Sequence, residues 1–427
     1  MQFLSFFIFS LLISVGLLRI NAYKNIGVVL INNQGVAYME NSLSFISNLP
    51  QTSKQSIFSI LTHHQSEDIF IVDTLNALCR YSYANQYLSV QHGDVVELTG
   101  HIHGFINMVQ TLKSRFHNCP IILTVDGHAQ FRYDIIPEYK GQRNHSITAA
   151  VRKDVDVIVS LLSLYDGIYI CAPEDYEADD AISVISKTLR TICKEKKFHR
   201  RIHIISNDKD LLQCVRSDSP CTVDVIRKLG SLTQQRIVSA HREGSAGADV
   251  KDLVVSQKDI EYYFPGVPVE NLCLYRSILG DKSDNLPGYY RFFSSHAAYI
   301  ASHTFIDPNT YQLIPVHDSE FGTDKTLAKA LKRLNDEPLT WQKNYKVMSL
   351  RNFDFSLYPV CTSTAAALAT LTPEGNYCNF DIKEISLLYA YYGLKSVAAT
   401  LYYSPSIYCR AGVIKPMLEA MKPFMEG

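Results

Sequence analysis

The sequence predicts an α/β fold built on a central, mostly parallel sheet. Two observations carry that expectation. Short runs rich in Ile and Val recur along the chain between turn residues, the pattern of strands buried on both faces. The runs also lead into acids: Ile69-Phe70-Ile71-Val72 into Asp73, Ile121-Ile122-Leu123-Thr124-Val125 into Asp126, and Ile202-His203-Ile204-Ile205, past a Ser-Asn turn, into Asp208 and Asp210. A fourth run, Ile168-Tyr169-Ile170, is followed beyond Pro173 by Glu177, Asp179 and Asp180, where a helix is expected to begin. Acids in a first helical turn gain from exposed amides and the positive dipole end. In open α/β sheets the ligand site lies outside the carboxyl ends of the strands. Carboxylates from four segments are therefore expected along one edge of one sheet.

The acids are dense as well as well placed. Glu177-Ala178-Asp179-Asp180, Asp208-Lys209-Asp210 and Asp281-Lys282-Ser283-Asp284 form three short runs. Carboxylates this close repel one another unless a cation lies between them, and hard oxygen donors suit Mg²⁺ or Mn²⁺. Such a cluster carries too much charge for one ion and points to a two-metal site that cleaves phosphodiesters. A single Asp after a strand is ordinarily a turn or helix cap. Four strand-end placements in chain order favour a site. The sequence offers no competing Ser-His-Asp or Cys-His pattern.

Several longer strings carry a family likeness: IFIVDTLNALCRYSYA from Ile69, LTVDGHAQFRYDIIPEYKGQR from Leu123, YEADDAI from Tyr176, SNDKDLLQCV from Ser206 and LGDKSDNLPG from Leu279. In this order and spacing they resemble the 5′ nucleases, which include the 5′–3′ exonuclease domain of bacterial DNA polymerase I and the phage flap endonucleases. The likeness covers roughly 69–401. It implies a PIN-like, resolvase-like nuclease core and a helical helix-three-turn-helix module. It further implies that Asp73, Asp126, Glu177 and Asp179 hold one Mg²⁺ ion. Asp180, Asp208, Asp210 and Asp281 hold a second, with Asp284 close by and Mn²⁺ as a substitute metal. Lys140 resembles the arch lysine that contacts the reacting phosphate, with Arg143 on the same face if the stretch is helical. Arg132 and Tyr139 fall in the same DNA-contacting stretch, Arg132 toward the 5′ strand. The implied function is structure-specific hydrolysis of DNA at 5′ ends or flaps, in primer or flap removal during replication and repair. RNA–DNA hybrids are a further expected substrate, since such a site reads phosphates more than bases.

The chain departs from that family after Gly288. The family continues with further glycines, whereas Tyr289-Tyr290-Arg291-Phe292-Phe293 fills the position here. Packing of these rings against neighbouring helices is the first expectation, with base stacking as its competitor. The substitution motivates an alternative function, a nuclease-like domain that binds branched nucleic acid without cutting it. A basic run from Lys187 to Arg201 reads first as a solvated helix face.

The remaining features set boundaries. With 427 residues and 47% hydrophobic content the chain can bury one large core and a smaller second one. A net charge of −1 excludes little, because acidic metal ligands offset a basic nucleic-acid surface. The ten cysteines show no C-x-x-C pair and read as reduced core thiols. Met1 to Leu18 carries no charge and resembles a secretory h-region, and 20–66 is poor in acids like a transit segment. Together they suggest a bipartite presequence of the plastid-import type, removed from a mature protein without stable membrane association. The expected organisation is a presequence at 1–68, a nuclease core with its arch at 69–262, and the helical module with closing helices at 263–401. A tail at 402–427 follows. Residues 230–255 read as a polar surface insertion, and 385–401 as a final amphipathic helix. A monomer is expected.

Overall fold

The computed structural model describes residues 54–55, 57–64, 66–116, 119–142, 145–227, 254–317, 321, 324–354, 360–362, 382–409 and 411–426. In chain order the strands are β1 (Lys54–Gln55), β2 (Asp68–Asp73), β3 (Ser89–His92), β4 (Val95–Leu98), β5 (Ile121–Thr124), β6 (Ile168–Cys171), β7 (Arg200–Ile205), β8 (Cys221–Ile226), β9 (Val254–Val255), β10 (Thr304–Ile306), β11 (Leu313–Pro315) and β12 (Val360–Thr362). Eight form one sheet in the order β1-β12-β6-β5-β2-β7-β8-β9. The five central strands, β6 to β8 in that order, are parallel, with Val72 paired to Leu123 on one side and to Ile205 on the other. Antiparallel β12 and β9 flank them. The chain places β5 and β6 on one side of β2, then returns to place β7 and β8 on the other. The winding direction thus reverses beside β2, where open α/β sheets form their crevice.

Alternation along the strands builds two cores. Phe70, Val72, Leu123 and Ile170 face one cluster, packed under α2 (Thr74–Ala84), α3 (Gly100–Arg115) and α6 (Val155–Leu162). Ile69, Ile71, Ile122, Ile202 and Ile204 face the other, covered by α1 (Ile57–His63) and α7 (Ala178–Lys196). A third cluster centres on the buried Trp341. It joins α9 (Leu272–Leu279), α10 (Ser294–His303), α11 (Lys325–Asp336) and α12 (Leu339–Met348). Between these lie α4 (Gln130–Ile135) and α5 (His145–Arg152), the latter packed beside α2, and α8 (Gln257–Tyr263).

One polar group is built into the sheet itself. His203 on β7 lies between Asp224 on β8 and Asp68 on β2, each 2.8 Å from a ring nitrogen. Arg201 grips the same Asp68 with two hydrogen bonds of 2.7 and 2.8 Å. Burial opposes charge on the imidazole, but the two carboxylates outweigh it and raise its pKa to about 9.

The ends of the chain differ from the sequence expectation. Lys54–Gln55 and Ile57–His63 of the expected presequence belong to the packed structure: β1 extends the sheet, and α1 buries Ile57, Ile60 and Leu61. Residues 1–53, 56 and 65 of the expected presequence lie outside the described residues, as do 230–253 of the expected insertion. Val254–Val255 pairs with β8. The single helix read over 385–401 is two, α13 (Ile382–Tyr391) and α14 (Lys395–Tyr403). Gly393, at φ +63°, turns the chain between them. The expected tail is also helical, as α15 (Pro405–Tyr408) and α16 (Ala411–Glu426). Pro416 and Pro423 argue against a helix by propensity, but burial of Met417 and Met421 in the first core prevails. The nine described cysteines form no disulfide with one another and are mostly buried. No helix among the described residues is long and apolar enough to cross a membrane.

Candidate active site

The parallel strands deliver their acids to one edge, each anchored by local backbone. Asp73 ends β2 and caps α2, accepting from the Asn76 amide at 3.2 Å and from the Ser206 hydroxyl at 2.9 Å. Asp126, just past β5, accepts from the Ala178 amide at 2.8 Å, which ties that strand end to the start of α7. Glu177 caps α7 and forms a reciprocal capping box with Asp180. Past β7, the Ser206 hydroxyl accepts from the Asp208 amide at 3.1 Å, and Asp208 accepts from the Asp210 amide at 2.8 Å. Asp281 follows α9 and accepts from the Ser283 amide at 2.8 Å.

Two arginines divide these acids into groups. Arg132 on α4 is 1% exposed. Its guanidinium pairs with Glu177, with Asp179 at 3.3 Å and with Asp180 at 2.9 Å, while its Nε donates to the Val347 carbonyl at 3.1 Å. The family resemblance implies a contact of Arg132 with the 5′ strand of DNA; the structure buries its guanidinium among carboxylates. Arg276 on α9 joins Asp210 to Asp281. Sequence reasoning missed Arg276, although one arginine in the apolar run Leu272-Cys273-Leu274-Tyr275-Arg276-Ser277-Ile278-Leu279 signals a buried partner.

Even with these cations present, the cluster is short of positive charge. Burial, then Asp126, pushes Asp73 up to about 8. Burial, then Asp179, pushes Asp180 up to about 7. Burial also raises Asp208, with Asp179 and Asp284 adding to the effect. Asp210 rises to about 8: burial leads, Arg276 opposes, and Asp208 and Asp179 add to it. Asp281, less buried, is held below the usual carboxylate range by Ser283 and Arg276, which outweigh its partial desolvation. These interactions link β2, β5, α7, the turn after β7 and the loop after α9 into one electrostatic unit. An all-oxygen donor set of this charge fits hard divalent cations. In the present arrangement no three of these side chains, among the described residues, converge closely enough to enclose an ion. Arg132 and Arg276 instead hold Glu177, Asp179, Asp180, Asp210 and Asp281.

Of the basic residues in the stretch likened to the arch, Lys140 sits beside Glu177. Lys140 lies in a turn after α4, at φ +57°, rather than on a helix. Its Nζ is 2.8 Å from Glu177 Oε1 and 4.9 Å from the Tyr139 ring. Tyr139 is buried, and its hydroxyl donates to Glu177 at 3.2 Å. Burial, then the Glu177 charge, keeps that phenol protonated. Two hydrogen bonds of 3.0 Å join this turn to the Asp281 loop: the Lys140 amide donates to the Asp284 carbonyl, and the Asn285 side chain to the Glu138 carbonyl. Arg143 lies outside the described residues. In the basic run, Arg190 and Lys194 both pair with Asp218 on the surface, in keeping with a solvated face.

Several known proteins are similar to this chain. Residues 68–242 match a family model described as the 5′–3′ exonuclease N-terminal resolvase-like domain. A 5′–3′ exonuclease of Mycobacterium tuberculosis is 28% identical over 191 residues, covering 39% of this chain and 56% of that protein. A 5′–3′ exonuclease of Aquifex aeolicus is 26% identical, over 52% of this chain and 64% of its own length. For DNA polymerase I of Bacillus caldotenax the figures are 28% identity, 47% and 20%. The chain thus spans less than two thirds of each of these relatives. Among solved structures, zinc-bound T5 5′-exonuclease aligns with a TM-score of 0.43 and 15% identity, covering 78% of this chain and 98% of that one. Human GEN1 with Holliday junction DNA aligns with a TM-score of 0.39 and 12% identity, over 79% and 75%. Residues 68–242 are therefore similar to the N-terminal resolvase-like domain of the 5′–3′ exonucleases.

Proposed function

We propose that the chain is a structure-specific 5′ nuclease that hydrolyses DNA phosphodiesters with two divalent cations, Mg²⁺ by donor chemistry. The observation that carries this reading is the cluster itself. Carboxylates from five segments lie close enough around the switch point of a parallel sheet to raise one another's pKa values. When bound, the cations would supply a water of lowered pKa and positive charge for the attacking and leaving oxygens. Asp73, Asp126, Glu177 and Asp179 would hold one of them. Asp180, Asp208, Asp210 and Asp281 would hold the other, with Asp284 completing the charge. Arg132 and Arg276 keep these buried acids paired before the cations arrive. Lys140 rests on Glu177 and, released from it, would place its ammonium against the scissile phosphate; Arg143 follows it in the same stretch. DNA with 5′ ends or flaps is the proposed partner, with RNA–DNA hybrids as a second substrate class.

A 5′-labelled flap substrate with Mg²⁺ and mapped products tests the reading. Cleavage at or near the branch is expected. Firm binding without cleavage at any divalent metal concentration would instead establish a branched-nucleic-acid binder.

A further inference from the structure

The loop between the Asp281 motif and α10 sorts its aromatic side chains into two sets. Tyr289 and Phe292 turn inward, 6.0 Å apart, and pack on the cluster around Trp341. The Tyr289 hydroxyl donates to the Glu337 carbonyl. Tyr290 and Phe293 turn outward and are 73% and 65% exposed. Between them Arg291 adopts φ +54°, a left-handed conformation that non-glycine residues rarely take. Its guanidinium stays 5.0 Å from the Tyr290 ring, and no carboxylate lies within ion-pair distance of it among the described residues. Arg333 donates to the Tyr290 carbonyl at 3.0 Å and fixes the backbone. Gly280 and Gly288 close the base of the loop: a Cβ on Gly288 would lie 1.9 Å from the Leu279 carbonyl oxygen. Two inward rings, a held carbonyl and a left-handed residue thus present two outward rings rigidly.

We propose that Tyr290 and Phe293 form a stacking platform for unpaired bases, with Arg291 binding the accompanying phosphate. The inference rests on the reading of this chain as a nucleic-acid enzyme, and assigns the outer loop to single-stranded substrate. Flat exposed rings match the faces of bases, which a duplex hides by stacking and a frayed or branched strand exposes. Charge points the same way. From 281 to 296 the exposed charged residues are Lys282 and Arg291, both cations. The exposed rings and cations of the loop therefore suit unpaired strand.

Fluorescence anisotropy in EDTA, so that nothing is cut, tests this with the full chain. The probes are a labelled oligodeoxythymidine and a blunt duplex of equal length. Replacing both rings (Tyr290→Ala with Phe293→Ala) should weaken oligonucleotide binding at least about 10-fold and leave the duplex within about twofold. The swap Tyr290→Phe with Phe293→Tyr should retain binding. Arg291→Gly keeps the backbone conformation and should reduce the salt slope for the oligonucleotide by about 0.7. Unchanged oligonucleotide affinity in the double alanine variant, or equal loss on both probes, overturns the proposal. So does a wild-type dimer that the alanines dissolve without moving oligonucleotide affinity, since that assigns the rings to a second copy. Loss of oligonucleotide binding in a chain that cuts no flap upholds the platform while the nuclease reading fails. Flap cleavage with unaltered oligonucleotide affinity sinks the platform alone.

Discussion

Replacing Arg132 with methionine separates the two sources of positive charge that the carboxylate cluster can draw on. The side chain is wholly enclosed, contacts three carboxylates and one carbonyl, and has Asp180, with no exposed surface, as one of its partners. Methionine keeps much of the volume and removes the cation. Breaking a buried ion pair from one side typically costs about 3–5 kcal/mol, because the partner charge is left uncompensated. The lower half of that range applies here, since Asp180 already sits near 7 and gains a proton readily. We expect Arg132→Met to lose about 3–4 kcal/mol in urea unfolding with EDTA present. If divalent cations bind the same acids, they can substitute for the guanidinium. A ligand at 100 times its dissociation constant contributes about 2.7 kcal/mol, so Mg²⁺ should restore most of the loss and stabilise the variant more than wild type. An EDTA stability within about 1 kcal/mol of wild type refutes the charge argument. Equal Mg²⁺ stabilisation of both proteins refutes the shared-acid argument.

Three further outcomes are expected. The His203 imidazolium contributes stability that is full below its unfolded pKa near 6.5 and is lost as pH rises through about 9. Between pH 6.5 and 8.5 the difference in unfolding free energy between wild type and His203→Gln should therefore shrink by about 2 kcal/mol; parallel curves would exclude a charged ring. Asp179→Asn should lower flap cleavage at least about 100-fold while binding in EDTA holds within about threefold, and unchanged rates remove Asp179 from the site. Gly288→Ala must displace the Leu279 carbonyl and should cost about 1–3 kcal/mol of stability, read as a lowered unfolding midpoint.

The strands and their acids are readable in the sequence because burial on both faces leaves continuous apolar runs, and the end of a strand is a fixed address for the next few residues. Asp73, Asp126, Asp208 and the start of α7 stand where that logic puts them. The counter-charges are not readable in this way. Arg132 lies in a stretch of mixed polarity, and its burial depends on Val347, 215 residues away. Arg276 meets Asp210 across 66 residues. The His203 triad is similarly non-local: each acid looks like a lapse in an apolar strand until three strands align. At the C-terminus local signals mislead, since Pro416 and Pro423 suggest an open tail and only packing of Met417 and Met421 overrules them. In the aromatic loop, neither a helical nor a strand period tells which rings turn inward.

The two hydrogen bonds between the Lys140 turn and the Asp281 loop bear on timing. If, as proposed, substrate lifts Lys140 off Glu177, the two hydrogen bonds would carry that movement to Asp284 and Asn285. Amide exchange at Lys140 and Asn285 should then quicken or slow in step when DNA is added. Under the proposed function, a phosphate arriving at the lysine would be felt as a tug on the Asp281 loop.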